Sequence, residues 1–159
     1  MKRIRCPKCD AYQTLEQTRF KNGQSLVFIC PECGKQFGIK IRKKAPEEIK
    51  KWGSITVIEN VFAYKQVKYL VEGENCIGRR SKGTKINQPI ETSDMSMDRI
   101  HCFIYVEENE EGEISHYIWD APSLTGTFVK TELLNEGERK ELHDGDVVSI
   151  GATTFIFRK

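Results

Sequence analysis

Four cysteines open the chain as two equal spacings, Cys6-Pro-Lys-Cys9 and Cys30-Pro-Glu-Cys33, with twenty residues between the pairs. A two-residue gap lets one tight turn aim both thiolates at a single point. Two such turns complete a tetrahedral sulfur set with metal–sulfur bonds near ~2.3 Å. A structural zinc ion held by Cys6, Cys9, Cys30 and Cys33 is the first expectation, because four thiolates leave no open coordination position for catalysis. Rubredoxin-like iron and a disulfide framework are competing readings. The disulfide is disfavoured because the start, Met1-Lys2-Arg3-Ile4-Arg5-Cys6, lacks the apolar stretch of a signal peptide, and cytosolic thiols stay reduced. Cys76 and Cys102 lie apart from the quartet among strand-forming residues and read as buried thiols.

The elements that must position these cysteines are short. Residues 14–16 and 25–29 are β-prone, and Asn22-Gly23 between them is a hairpin signal, so residues 1–43 look like a zinc ribbon. A unit of this size buries too little apolar surface to hold itself together. The metal would supply most of its folding free energy, about 10 to 16 kcal/mol.

Charge divides the chain at the same place. Residues 1–51 hold 13 Lys/Arg against 5 Asp/Glu and the remainder 12 against 18, or about +8 and −6. The basic module could meet nucleic-acid phosphates through Lys8, Arg19, Lys21, Lys35, Lys40, Arg42 and Lys43, with Tyr12, Phe20 or Phe28 stacking on bases. A solvated surface and a small ribbon core are the plainer readings of the same residues. Residues 44–52, polar and broken by Pro46, read as a linker.

From residue 53 to 159 the pattern turns to short strands, at 54–58, 67–71, 102–106, 116–119 and 153–157, many with a period of two. Turn signals separate them, among them Glu111-Gly112-Glu113, Glu136-Gly137-Glu138 and Asp144-Gly145-Asp146. With no long amphipathic helix in the run, an all-β sandwich is predicted. No apolar run approaches the ~18 residues that span a bilayer. A cytoplasmic, membrane-free protein is expected.

A second set of chemistry-bearing residues is scattered over this region: Gly78-Arg79, Asp98-Arg99-Ile100-His101, Ser123-Leu124-Thr125-Gly126-Thr127 and the closing residues 143–151, from His143-Asp144-Gly145-Asp146 to Ile150-Gly151. Together they resemble the forkhead-associated (FHA) domain over roughly two thirds of the chain. The resemblance implies a sandwich of two largely antiparallel sheets whose loops bind phosphothreonine peptides. Arg79 matches the family arginine that contacts phosphate and peptide backbone, and a guanidinium suits that task because its fork of donors engages oxygens bidentately. Gly78 and His101 match positions that shape the loops. Arg80, Ser81, Lys82 and Lys85 add donors and positive charge beside Arg79.

Two positions depart from the pattern. Asp98 stands where the family has a serine that donates to phosphate. A carboxylate only accepts hydrogen bonds, and like charges 4 Å apart cost about 4 kcal/mol at an effective dielectric near 20, half of what micromolar binding is worth. Arg99 could neutralise Asp98, and Ser96 could supply the missing hydroxyl. Thr125 replaces an asparagine that clamps the peptide backbone, and Gly126 suits the positive φ of the turn.

These residues favour a non-enzymatic signalling module that binds a protein partner, threonine-phosphorylated in its simplest form. The alternatives are an FHA-like domain used for phosphate-independent docking or self-association, and nucleic-acid binding by residues 1–43. The three histidines stand apart, and the sequence holds no Gly-rich phosphate loop or nucleophile elbow, so no active site and no small-molecule substrate are expected.

Overall fold

Each Cys-x-x-Cys pair occupies the turn of its own hairpin. Strand β1 (Lys2–Arg5) pairs antiparallel with β2 (Tyr12–Leu15) around Cys6 and Cys9, and β3 (Ser25–Ile29) pairs with β4 (Gln36–Lys40) around Cys30 and Cys33. The turns are built alike. The Cys6 amide donates to the Ala11 carbonyl at 2.8 Å and the Asp10 amide to Cys6 at 3.0 Å; Cys30 donates to Lys35 and Gly34 to Cys30, both at 2.9 Å. The residue after the second cysteine is left-handed in both, with φ 65 at Asp10 and 68 at Gly34.

This is a computed structural model, and it describes residues 2–15, 23–41 and 51–159. The β-prone segments around residues 14–16 and 25–29, expected to form one hairpin with each other, instead lie in separate two-stranded sheets. Each turn closes on local hydrogen bonds, so a segment's nearest partner is the strand flanking its own cysteine pair. Asn22 of the expected turn lies outside the described residues, as do residues 44–50 of the expected linker. The first unit, Met1–Ala45, has a core of buried Ile4, Leu15 and Ile41, with Leu26, Phe28, Phe37 and Ile39 packed against it.

The second unit, Pro46–Lys159, is a two-sheet sandwich. Its strands are β5 (Ser54–Val57), β6 (Gln66–Tyr69), β7 (Gly73–Arg79), β8 (Gln88–Ile90), β9 (Cys102–Glu108), β10 (Ile114–Asp120), β11 (Thr127–Val129), β12 (Glu132–Leu133), β13 (Lys140–Glu141), β14 (Val147–Ile150) and β15 (Thr153–Arg158). One sheet runs β12-β11-β14-β15-β5-β6 and the other β13-β10-β9-β7-β8. All pairings are antiparallel except β7 with β8.

Alternation along the strands fills the space between the sheets, as a period of two requires. Phe155 and Phe157 of β15, Ile55 and Val57 of β5, Ile104 and Val106 of β9, and Ile118 of β10 are fully buried. Cys102 joins them, and burial raises its thiol well above the ordinary range, whereas Cys76 is half-buried on the opposite face. His116 is a core residue too. Its Nε2–H donates to the Trp52 carbonyl at 2.7 Å, its ring lies 4.6 Å from Phe157, and it thereby fixes where the chain enters β5. Among the described residues no helix is long and apolar enough to cross a membrane.

Candidate functional site

Two loops of the sandwich, β8–β9 and β10–β11, are drawn together beside the end of β7. The central tie is His101. It is fully buried, accepts the Asp98 amide on Nδ1 at 3.0 Å, and donates from Nε2 to the Gly126 carbonyl at 2.8 Å. Its own amide bonds to Ile77 of β7 at 2.9 Å. An imidazole with one donor and one acceptor thus joins a strand and two loops, a structural role that consumes both ring nitrogens.

Gly78 shows how closely the elements approach. A Cβ there would lie 2.2 Å from the Arg99 carbonyl oxygen and 2.9 Å from that of Asp98, so no other residue fits without moving backbone. Next along β7, Arg79 donates from its amide to the Asp98 carbonyl at 2.8 Å and from Nε to Met97 at 3.0 Å. The guanidinium is therefore aimed while both terminal nitrogens stay available. Arg80, Lys82, Lys85 and Arg99 are exposed nearby in sequence, and no ion pair joins Arg99 to Asp98 among the described residues.

Asp98 is half-buried, and its Oδ2 accepts the Leu124 amide at 2.8 Å, linking the β8–β9 and β10–β11 loops. Its charge is thus employed inside the loop cluster. The two hydroxyls closest in role are also engaged. Ser96 donates to Asp94 Oδ1 at 2.5 Å and accepts the Ala152 amide at 3.0 Å, and Thr125 donates to the Ser96 carbonyl at 3.1 Å. Gly126, with φ +80, donates from its amide to the Ser123 hydroxyl oxygen at 3.0 Å. What this surface offers an anion is chiefly cationic side chains, since the hydroxyls of Ser96 and Thr125 are bonded elsewhere.

Two buried or half-buried acids that sequence reasoning passed over organise the loops. Asp94 takes the Ser96 amide and hydroxyl on one oxygen, and the Ala152 amide and Thr153 hydroxyl on the other at 2.9 and 3.0 Å. Burial would raise its carboxyl, but these bonds hold it below the usual carboxylate range. Asp120 is lowered for the same reason by Ser123 and Thr127, again against burial. The Asp94-Met95-Ser96 spacing is that of an Asx turn, a signal readable in the sequence.

In the first unit the four sulfurs converge. Cys6 and Cys33 are 3.6 Å apart, Cys9 and Cys30 3.5 Å, and all four atoms lie within 4.8 Å of one another. A tetrahedron with ~2.3 Å metal–sulfur bonds has sulfur edges of about 3.8 Å, so the set could hold one metal ion. The thiols resist ionising together without one. Burial opposes the Cys6 thiolate, yet the Cys9 and Lys8 amides and the neighbouring sulfurs bring its pKa down to about 6. The Ala11 amide favours the Cys9 thiolate, but burial and the sulfurs of Cys33, Cys30 and Cys6 push it up to about 12.

Lys8, Lys35 and Lys40 are exposed, while Phe28 stacks on Phe37 with ring centroids 6.0 Å apart inside the small core. Tyr12 is exposed beneath Arg3, whose guanidinium carbon is 5.4 Å from the ring centroid. Arg19, Phe20, Lys21, Arg42 and Lys43 lie outside the described residues.

With the loop cluster in view, comparison with known proteins is decisive for the sandwich: the FHA domain family model matches residues 75–151, from β7 through the turn after β14. Residues 75–151 form an FHA domain. Solved FHA domains share its fold. One, from work on phosphothreonine-dependent FHA domain interactions, is 24% identical over 67% of this chain and 96% of its own, with a TM-score of 0.51. Another, from Chlamydia trachomatis, is 22% identical over 67% and 96%, with a TM-score of 0.54. The MEK1 FHA domain in complex with a HOP1 phosphothreonine peptide is 22% identical over 65% and 94%, with a TM-score of 0.51. No curated protein matches the sequence. The FHA match begins after β6 and leaves the cysteine unit outside it.

Proposed function

We propose that this protein is a non-enzymatic interaction module whose FHA domain binds a threonine-phosphorylated protein partner, and whose cysteine unit holds a structural zinc ion. The reading of the loops rests above all on one observation: Arg79, at the end of β7, is fixed through Nε and its backbone beside two loops pinned by His101, with its terminal nitrogens free. Arg79 would grip the phosphate bidentately. Arg80 and Arg99 would add charge, and the two loops carrying Ser96 and Asp98, and Thr125 and Gly126, would shape the peptide's seat.

Related FHA domains crystallised with a phosphothreonine peptide or with a partner's intracellular domain support this use of the fold. A tetrahedral set of four thiolates suits zinc and iron alike, and a purely structural role, which zinc fills without redox chemistry, is the ground for preferring zinc. The cysteine unit's exposed lysines remain available for a second contact.

Amide mapping tests the assignment. A degenerate phosphothreonine peptide library added to zinc-loaded, isotope-labelled protein is expected to shift the amides of residues 79–85, 96–99 and 123–126, and Arg79→Ala is expected to abolish those shifts. Equal shifts from the unphosphorylated library would instead indicate phosphate-independent docking, for which the engagement of Asp98 by Leu124 is the favouring observation.

A further inference from the structure

The outer face of the five-stranded sheet has a composition that neither the FHA loops nor the cysteine unit uses. Along β9, Phe103, Tyr105 and Glu107 alternate with buried Cys102, Ile104 and Val106; along β10, Ser115, Tyr117 and Trp119 alternate with buried His116 and Ile118. The register places Trp119 opposite Phe103 and Tyr117 opposite Tyr105. Two cross-strand aromatic rows result.

The first row is already capped by a cation. Phe103 and Trp119 stack with centroids 5.5 Å apart and planes 21° from parallel, and the Arg139 guanidinium carbon lies 4.2 Å from the Trp119 ring centroid. The second row is bounded by carboxylates instead: Glu74 pairs in register with Tyr105 on one side, and Glu141 with Tyr117 on the other. Tyr105 is 37% exposed in mid-strand, and among the described residues no cation lies over either tyrosine ring. Glu107 shares the face, and Glu108, Glu110, Glu111 and Glu113 follow in and beyond the β9–β10 turn.

A guanidinium is the cation this arrangement fits. It is planar and weakly hydrated, so it stacks on a ring while its donors reach an adjacent carboxylate; an ammonium is compact and holds its water more firmly. The acidic balance of residues 52–159, 12 Lys/Arg against 18 Asp/Glu, favours basic partners approaching this face.

We propose that the Glu74–Tyr105–Tyr117–Glu141 row is a second protein-binding surface, which takes an arginine-bearing segment of a partner by stacking guanidinium groups on the tyrosines and pairing them with the flanking carboxylates. The row crosses four strands, β7, β9, β10 and β13. At ~4.8 Å between strands its ends are about 14 Å apart, and an extended chain covers that span in about four residues. Two arginines spaced as Arg-x-x-x-Arg in an extended segment would reach one carboxylate each from opposite ends of the row, their guanidinium groups turned inward onto the tyrosines, and would do so without phosphate.

The test uses the full zinc-loaded protein and an unphosphorylated peptide, acetyl-Gly-Ser-Arg-Gly-Ser-Gly-Arg-Ser-Gly-amide, beside versions with both arginines replaced by lysine or by uncharged citrulline. The expected result is amide shifts centred on Tyr105 and Tyr117, affinity at least threefold weaker for the lysine peptide, and no binding of the citrulline peptide. A Tyr105→Ser/Tyr117→Ser variant should lose at least tenfold in affinity, and Glu74→Gln/Glu141→Gln, which leaves the packing intact, should also weaken it. Arg79→Ala should bind as the parent does, separating this surface from the loops. Equal affinity for arginine and lysine peptides, shifts confined to other residues, or no binding at millimolar peptide would each overturn the proposal.

Discussion

On the proposed reading, the loops meet phosphate at Arg79 and Asp98 opposes it. Its carboxylate holds the Leu124 amide, Ser96 and Thr125 have spent their hydroxyls on Asp94 and the Ser96 carbonyl, and the positive charge rests on Arg79 and its exposed neighbours. Asp98→Ser removes a repelling charge and adds a donor, so its affinity for a phosphothreonine peptide should rise at least tenfold in titration calorimetry, with Asp98→Asn intermediate; unchanged affinity would mean that Asp98 does not face the phosphate. Gly78→Ala drives a methyl against the Arg99 carbonyl, and thermal unfolding should show a loss of about 2 to 3 kcal/mol. His116 gives a pH dependence. Burial lowers its pKa, partly offset by the Trp52 carbonyl and reinforced by Lys159, so the unfolded chain takes up a proton that the fold refuses. The stability it contributes is complete above the unfolded value near ~6.5 and is lost as pH falls below it. Melting temperature should drop from pH 7 to pH 5, and His116→Gln, which keeps a donor for Trp52, should flatten that slope. The Cys, Gly-Arg and histidine positions were legible in sequence because their types are restrictive. The Asp94 network was hidden, since it joins residues 58 apart.

At the scale of elements, the two cysteine turns illustrate what sequence can and cannot carry. The spacing within each pair is local and announced a metal-ligating turn, but strand partnership depends on which backbones the turn closes, and so β1 and β4 went unread. Several sandwich strands were also silent: β12 and β13 span two residues each, too few to show any period. The strands expected at 54–58, 67–71, 102–106, 116–119 and 153–157 are β5, β6, β9, β10 and β15. Hairpins of four or five residues are marginal in water, and this unit's core is only a handful of side chains. Stripping the metal with a strong chelator, or replacing Cys33 by serine, should therefore abolish hydrogen-exchange protection in β1 to β4 while leaving β5 to β15 protected. Full protection of the hairpins after metal removal, confirmed by metal analysis, would show that the core alone sustains them.

The whole molecule joins a basic unit, whose four cysteines could hold a metal ion, to an acidic FHA domain. The central claim is that the FHA loops discriminate phosphorylated from unphosphorylated threonine by charge. Because the donors are cationic, binding should weaken as salt rises, in contrast to a hydroxyl-based clamp. The most direct measurement is the ratio of dissociation constants of the zinc-loaded protein for one library-selected peptide with and without phosphate on its threonine, at two salt concentrations. A preference of at least tenfold for the phosphorylated form, narrowing at higher salt and absent in Arg79→Ala, is the predicted result. Equal affinity for the two forms at both salts would contradict it and leave the loops a phosphate-independent docking surface.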